Sequence, residues 1–307
     1  MPRPDFFFVG HPRSGSGLLD SYLAGHPDIF MARKELHYFG ADLRYHSPPR
    51  TLQNYLSHFD DVKPQHKRIG ESSTWYLISQ RAAEEIHAFT GEARIVMMLR
   101  NPVSWLHSLH SHLLFSGDED IESFEEALAA EADRRAGRRL PAASIPACAL
   151  FYRGLVRYAD QVERYLRVFG ADRVHILILD EFQKDPRAAY RGLLEFLGLR
   201  TEFPGMAGVL DASERSRNSN REVRSAALRR FIIEPRRRRV LEGVDPAPFP
   251  GFGVALRALR RANLRFAERA PLDPALRERL AAELEPEVER FEALLGRRLP
   301  GWHPKRG

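Results

Sequence analysis

Short apolar runs alternate along the chain with longer segments in which apolar residues recur every three or four positions. The strongest runs are Phe6–Val9, Arg94–Leu99 and Val174–Leu179, and their length predicts buried strands. A further short strand is expected around Arg68–Gly70. The helical spacing predicts helices over 18–26, 78–89, 103–114, 122–139, 151–169 and 186–197. This alternation predicts an α/β fold in three layers, with a central, mostly parallel sheet flanked by helices.

The length of the chain suits one large α/β domain or two small ones. Its 307 residues are 43% apolar, enough for a sizeable core. Neither an internal repeat nor a low-complexity linker divides the sequence, and the Pro/Gly-rich stretch 246–253 is typical of a loop. We therefore predict a single domain over residues 1–307. No apolar run approaches the ~20 residues of a membrane span, and the strand pattern beginning at Asp5 leaves no room for a signal segment.

Cysteine content and charge narrow the possible settings and partners. Cys148 is the single cysteine, which excludes an internal disulfide or a multi-cysteine zinc site and favours a reducing, cytoplasmic location. The formal charge of +6 favours anionic partners. Arginines concentrate in 215–239, including the run Arg236–Arg239, and in 257–269. Few aromatic residues interleave them and no nucleic-acid recognition module is visible, so we expect a solvated face and no nucleic-acid partner.

The first chemical motif follows the first predicted strand and runs Gly10-His11-Pro12-Arg13-Ser14-Gly15-Ser16-Gly17. A glycine-rich turn between a strand and a helix aims backbone N–H groups at one point, which suits a phosphate. Gly10 and Gly15 have Walker A spacing, but Ser16 and Gly17 stand where that motif has its Lys and its Ser/Thr. The alternative for this segment is a tight structural connection with an ordinary Ser cap.

The second motif begins where the strand Arg94–Leu99 ends. Arg100 follows that strand directly, and Ser108 lies eight residues later in a predicted helix that begins near Pro102. In open α/β sheets the carboxyl ends of the strands carry the ligand contacts. A strand-end Arg and a hydroxyl on the next helix are therefore able to grip one phosphate from two sides. The alternative is an Arg paired with a carboxylate beside an exposed Ser.

Together these motifs resemble the cofactor loops of the sulfotransferases that use 3′-phosphoadenosine 5′-phosphosulfate (PAPS). The loop 12–16 is similar to the family's 5′-phosphosulfate loop, and Arg100-Asn101-Pro102 with Ser108 to its 3′-phosphate motif. Lys34-Glu35-Leu36-His37-Tyr38-Phe39 resembles a stretch of the heparan-sulfate type and its bacterial relatives. Segments around 169–182, 196–199 and 294–302 are also similar to the family. The resemblance implies a P-loop-like fold.

Carried over residue by residue, the resemblance implies a role for each motif position. It implies that the 5′-phosphosulfate is bound by Arg13, Ser14, Gly15, Ser16 and Gly17. It implies that Arg100 and Ser108 bind the 3′-phosphate, with Asn218 and Arg221 in a late loop that closes over the nucleotide. Catalytic candidates are Glu35 as general base, with Arg13, Lys34 and His37.

Three positions depart from the family pattern. Trp105 stands where many relatives carry a second Arg, and Gly17 replaces a frequent Thr. Ser72 occupies the position after Glu71 where relatives of the heparan type often have a Lys. Each departure removes a charged or hydroxyl contact that relatives possess.

The resemblance implies transfer of a sulfuryl group from PAPS to an acceptor hydroxyl, with release of 3′,5′-ADP. The acceptor is left open among a sugar or glycan, a phenol and a natural-product alcohol. No carboxylate pair or His cluster has metal-ligand spacing, so no essential metal is expected. His107, His110 and His112 lie near the second motif and are expected to pack or cap. Two other functions stay open: a P-loop kinase or nucleotidase, and a non-catalytic binder of nucleotides or nucleic acid.

Overall fold

The computed structural model describes residues 1–43, 50–141, 146–208, 221–223, 262–266 and 269–304. Its strands are β1 (Phe6–Phe8), β2 (Ile29–Met31), β3 (Arg68–Ser72), β4 (Arg94–Leu99), β5 (Val174–Ile178), β6 (Arg221–Val223) and β7 (Leu264–Phe266). Its α-helices are α1 (Ser16–Ala24), α2 (Leu52–Leu56), α3 (Ala82–Phe89), α4 (Pro102–Ser116), α5 (Phe124–Ala129), α6 (Glu131–Arg135), α7 (Tyr152–Leu155), α8 (Tyr158–Phe169), α9 (Leu179–Lys184), α10 (Pro186–Phe196) and α11 (Pro274–Leu295).

The central sheet has five strands in the order β2-β3-β1-β4-β5, and every pair in it is parallel. The predicted parallel sheet is therefore confirmed. From β1 the chain passes to β2 and β3 on one side, and from β4 it passes to β5 on the other side. The strand order thus reverses between β1 and β4, which is where open α/β sheets form a ligand crevice beyond their carboxyl ends.

Alternate side chains of the central strands enter two separate cores. Phe7, Ile95 and Met97 belong to the core shared with α4, α8 and α11. Phe6, Val96 and Met98 belong to the core shared with α1 and α10 on the other face. Burial on both faces explains why these strands are continuous apolar runs without polar alternation. The sheet with helices on both sides confirms the predicted three-layer arrangement.

The element boundaries differ from the sequence prediction at a few places. Strand β2 was not predicted, because three residues are too short for a periodic signal. The helix expected from residue 78 begins at Ala82, whose N–H donates to the Ser79 hydroxyl at 2.9 Å. The helix expected over 122–139 is divided at Ala130 into α5 and α6. Within the described residues, no helix is both long enough and apolar enough to cross a bilayer.

Candidate functional site

The loop between β1 and α1 forms a concave turn at the reversal point of the sheet. Arg13 and Gly15 both have left-handed backbone, with φ of 67° and 92°. A Cβ on Gly15 would lie 2.7 Å from both the Leu179 and the Met98 side chains, so only glycine fits there. Helix α1 begins at the next residue. The Ser14 hydroxyl is buried and has no hydrogen-bond partner among the described residues. This loop therefore has the shape and the donors of an anion cradle.

The stacked rings of Trp105 and His11 form a buried pair that supports the loop between β1 and α1. The Trp105 indole N–H donates to the Pro12 carbonyl at 2.7 Å, and the Trp105 ring stacks on His11 with centroids 4.4 Å apart. On the His11 ring, Nε2 lies 2.8 Å from Gln161 Oε1. Burial lowers the pKa of His11 to about 3, so the imidazole is neutral. Trp105 is thus a structural support of the loop.

Arg100 joins the second predicted motif to the first. Its Nη1 donates to the Arg13 carbonyl at 3.3 Å, and its own carbonyl accepts from the Tyr158 hydroxyl at 3.1 Å. Burial lowers the pKa of Arg100, and the charge of Asp180 opposes that shift. No ion pair within 4.0 Å joins Arg100 to any carboxylate that the structure describes. The simple alternative, an Arg held by a carboxylate, is therefore not what the described contacts show.

Arg269 completes this basic group, although no sequence motif pointed to it. Its guanidinium donates to the hydroxyls of Ser108 and Ser111, each at 3.1 Å. Burial, followed by the charges of Arg100 and Arg13, lowers the pKa of Arg269 to about 10. Three guanidinium groups and the buried Ser108 hydroxyl therefore lie close together. An anion that binds between these like charges reduces the repulsion between them.

The segment that carries Glu35 is a strained turn beside the end of β3. Glu35 and His37 both have left-handed backbone, with φ of 62° and 49°. The Thr74 N–H donates to Glu35 Oε2 at 3.0 Å, and the Thr74 hydroxyl lies 3.1 Å from both carboxylate oxygens. Burial raises the pKa of Glu35, while Lys34 and the Thr74 hydrogen bonds lower it and leave a net rise. The side chain keeps 35% of its surface exposed.

His37 lies beside Glu35 rather than opposite to it. In an extended segment, residues two apart lie on the same face. The structure places His37 Nε2 3.2 Å from Glu35 Oε2. Both residues adopt left-handed backbone in this contact.

Lys34 points its ammonium group into the protein. Its Nζ is buried without a hydrogen-bond partner in the described parts of the chain. Burial lowers the pKa of Lys34, and the negative charges of Asp20 and Glu35 oppose that shift. Asp20 lies on α1, one turn after Ser16. Lys34 therefore places a positive charge between the Glu35 turn and the helix that follows the loop.

The other predicted site positions are Gly17, Asn218 and Arg221. Gly17 is exposed, and a Cβ there would meet nothing within 4 Å, so the missing Thr leaves open space. Asn218, the run 236–239 and most of 215–224 lie outside the described residues. The backbone of Arg221 starts β6, which pairs with β7 and lies beside α4, the helix that carries Ser108. Sequence reasoning missed Arg269, Thr74 and Asp20, which only the fold brings to these positions.

Comparison with known proteins identifies what this arrangement resembles. A family model described as a sulfotransferase domain matches residues 3–221. A solved sulfotransferase from Alicyclobacillus acidocaldarius is similar over 98% of this chain and 99% of its own, with a TM-score of 0.69 and 28% identity.

Two longer relatives match part of their length. A bifunctional heparan sulfate N-deacetylase/N-sulfotransferase 1 from Caenorhabditis briggsae is 26% identical over 208 residues, covering 66% of this chain and 23% of the relative. A heparan sulfate glucosamine 3-O-sulfotransferase 3A1 from Mus musculus is 27% identical over 205 residues, covering 64% of this chain and 46% of the relative. The chain spans less than half the length of either relative.

Proposed function

Because this chain belongs to the sulfotransferase family of enzymes, we propose that it transfers a sulfuryl group from PAPS to an acceptor hydroxyl and releases 3′,5′-ADP. The observation that carries this proposal is the pair of adjoining anion sites at the reversal of the sheet. The cradle of Arg13 to Gly17 suits the 5′-phosphosulfate. The group formed by Arg100, Ser108 and Arg269 suits the 3′-phosphate that distinguishes PAPS from ordinary nucleotides.

Catalysis of this reaction depends more on positioning and charge stabilisation than on covalent chemistry. The acceptor oxygen forms a bond to sulfur while the bond from sulfur to the bridging phosphate oxygen breaks. We assign the acceptor proton to the Glu35 carboxylate, a contribution that is typically about 10²–10⁴-fold. Negative charge grows on the departing 5′-phosphate, where Arg13 and the N–H groups at the start of α1 are available. We assign the Lys34 ammonium, which lies between the Glu35 turn and α1, to the oxygens of the moving sulfuryl group.

The chemistry of the reaction defines the acceptor only as a compound with a free hydroxyl. The names of two relatives state that they act on heparan sulfate, which makes a glycan the first candidate. A phenol and a natural-product alcohol are the others. A screen with radiolabelled PAPS against a heparan sulfate oligosaccharide, a nitrophenol and a panel of hydroxylated metabolites tests these classes. The compound that takes up label is called the acceptor probe below.

Two competing functions make different ligand predictions. A P-loop kinase or nucleotidase would prefer ATP with Mg²⁺, yet Ser16 stands at its lysine position. A nucleic-acid binder would prefer oligonucleotides. Ligand binding to the native state stabilises it by RT ln(1 + [L]/Kd), about 2.7 kcal/mol at 100-fold excess over Kd. We expect thermal stabilisation by 3′,5′-ADP that exceeds the effect of ATP·Mg²⁺ or of an oligonucleotide. A larger effect of either competitor would contradict the proposal.

Neither a metal nor a particular cellular location is needed for this scheme. We propose a metal-independent reaction, because guanidinium and backbone N–H groups are present where charge develops. A cytoplasmic location stays a prediction from the single cysteine.

A further inference from the structure

Glu71 is a fully buried carboxylate at the end of β3. Its side chain has 0% exposure, and burial raises its pKa to about 7. It accepts hydrogen bonds from three hydroxyls: Ser73, Tyr55 at 3.2 Å and Tyr76 at 3.4 Å. Among the described residues no cation lies within ion-pair distance of it. A carboxylate with this environment is costly to bury, so its hydroxyl partners have a purpose beyond packing.

Two of the three hydroxyls also hold the backbone of the turn that carries Glu35. The Ser73 hydroxyl accepts from the His37 N–H at 3.0 Å. The Tyr76 hydroxyl accepts from the N–H groups of Tyr38 at 2.8 Å and Phe39 at 3.2 Å. Three successive amides of the turn are therefore bound to hydroxyls that donate to Glu71.

The direction of these bonds depends on the carboxylate. A hydroxyl has one proton to donate and two lone pairs that accept. Because Glu71 takes the proton of Ser73 and of Tyr76, the lone pairs of both hydroxyls face the amides of residues 37–39. Without a carboxylate at this place, either hydroxyl is free to rotate away from the turn.

The turn needs such support because its backbone is strained. Glu35 and His37 are non-glycine residues with left-handed φ, a conformation that persists only where the surrounding structure holds it. The same conformation brings the Glu35 carboxylate to Thr74. Loss of the support would let the turn relax and carry Glu35 away from Thr74.

We propose that Glu71 is a positioning residue, which holds the Glu35 turn in its active conformation through Ser73 and Tyr76. The inference rests on the proposed role of Glu35 as base, and it adds the residue that keeps this base in place. Glu71 itself lies beneath the turn and touches no substrate.

A matched pair of tyrosine variants tests the proposal. Tyr76→Phe and Tyr55→Phe each remove one hydroxyl from a buried ring bound to the same Glu71 oxygen. Only the Tyr76 hydroxyl also holds the turn. We expect Tyr76→Phe to lower kcat with the acceptor probe by at least ~10-fold, with an unchanged KM for PAPS and unchanged 3′,5′-ADP affinity. Tyr55→Phe, the control, should stay close to wild type in kcat, in KM for PAPS and in 3′,5′-ADP affinity.

A second readout does not depend on activity. The Glu35 carboxyl can be titrated by carbon NMR, with its signal assigned by Glu35→Gln. The charged or titratable groups around it are Lys34, Asp20, His37 and Glu71. Burial raises the pKa of Glu35 and the Thr74 hydrogen bonds lower it, so displacement of the turn in Tyr76→Phe should shift this pKa from its wild-type value. Tyr55→Phe should leave that pKa where it is.

The outcomes separate this inference from the proposed function. Equal behaviour of the two tyrosine variants in both readouts would overturn the positioning role. If Tyr76→Phe does not fold, Ser73→Ala replaces it and should produce the same pattern through the His37 amide. Full activity of Glu35→Gln would reject Glu35 as base. In that case the NMR titration still decides whether the hydroxyl that joins Glu71 to the turn holds the turn in place.

Discussion

The indole N–H of Trp105 donates to the carbonyl of Pro12 at 2.7 Å, and this bond ties α4 to the loop before α1. Trp105 is fully buried. Its contribution is therefore to the shape of the loop. A positive charge reaches the same helix from Arg269, whose guanidinium donates to the Ser108 hydroxyl.

The first prediction follows from the Trp105 bond. Trp105→Phe keeps an aromatic ring against His11 but leaves the Pro12 carbonyl without its donor. A neutral hydrogen bond is worth about 0.5–1.5 kcal/mol. We therefore expect calorimetry to show weaker binding of 3′,5′-ADP and of 5′-AMP, by similar factors of roughly 2–12-fold. Tyr190→Phe, the control, removes a buried bond of 2.8 Å to the Tyr22 carbonyl on the other side of the sheet. Selective loss for one nucleotide would contradict the loop role.

The second prediction concerns the 3′-phosphate. Arg100→Ala and Arg269→Ala should each weaken 3′,5′-ADP binding far more than 5′-AMP binding, because 5′-AMP lacks the 3′-phosphate. A hydrogen bond to a charged group contributes about 1.5–3 kcal/mol, which corresponds to roughly 10–150-fold in Kd. Arg279→Ala removes the same charge from an exposed position on α11 and should change neither value. Equal losses for the two nucleotides would remove Arg100 or Arg269 from the proposed 3′-phosphate site.

The sequence predicted the central strands well because they are buried on both faces. Arg94–Leu99 was predicted with its observed ends, since six apolar or strand-end positions are stopped by Asn101 and Pro102. The anion loop was predicted from its glycines, whose backbone freedom is visible in the sequence itself. Strand β2 carried no such signal because it has three residues.

The details of the candidate site were less accessible to sequence reasoning. Arg269 is 161 residues from Ser108 along the chain, so no local spacing could connect them. Glu35 and His37 adopt left-handed backbone although neither is a glycine, so the sequence gives no sign of this conformation. It depends on hydroxyls of Ser73 and Tyr76, which follow a different strand. Contacts of this kind come from tertiary structure and leave no periodic pattern.

The third prediction concerns stability near the segment that follows α4. Glu119 and Arg134 form an ion pair with both side chains at 0% exposure, and Tyr152 also donates to Glu119 at 2.8 Å. Arg134→Met leaves a buried carboxylate without its cation and should lower the free energy of unfolding by about 3–5 kcal/mol. Arg135→Met breaks the pair with Glu131, in which Arg135 is 51% exposed. This control should lose at most ~1 kcal/mol in urea denaturation.

The pH dependence of that variant has a definite sign. Burial raises the pKa of Glu119, but the hydrogen bonds from Arg134, Ile121 and Tyr152 outweigh burial and leave it lowered. In the wild type the pair therefore contributes stability that is lost as the pH falls through the folded pKa. In Arg134→Met burial acts with less opposition, so Glu119 protonates at higher pH. The stability difference from wild type should shrink on acidification, and a constant difference would contradict this account.

The fourth prediction concerns metal removal. The proposal assigns the charge on the leaving phosphate to Arg13 and to the first N–H groups of α1, which begins at Ser16, so we expect that no divalent cation is required there. Dialysis against EDTA should leave kcat with the acceptor probe unchanged. Adding Mg²⁺ to the treated enzyme should also have no effect. Loss of activity that Mg²⁺ or Mn²⁺ restores would contradict a metal-free reaction.

The last prediction is that Glu35 takes the proton of the acceptor. Glu35→Gln keeps the size of the side chain and its contact with the Thr74 donors, but it cannot accept a proton. Turnover of the acceptor probe under saturating PAPS should fall by at least ~10²-fold, while 3′,5′-ADP binding survives. Burial raises the pKa of Glu35 in the folded protein. The acid limb of the kcat profile should therefore lie above the ~4.3 of a free glutamate.

His37 is the competing base, because its Nε2 lies 3.2 Å from Glu35 Oε2. His37→Asn under the same conditions separates the two assignments. If Glu35 is the base, the histidine variant retains an acid limb set by a carboxylate, since only the neighbour of the base has changed. Near-normal turnover in Glu35→Gln, together with collapse in His37→Asn, would transfer the role to His37. That result would leave the proposed sulfuryl transfer intact, because the anion sites around Arg13 and Arg100 do not depend on which of the two groups accepts the proton.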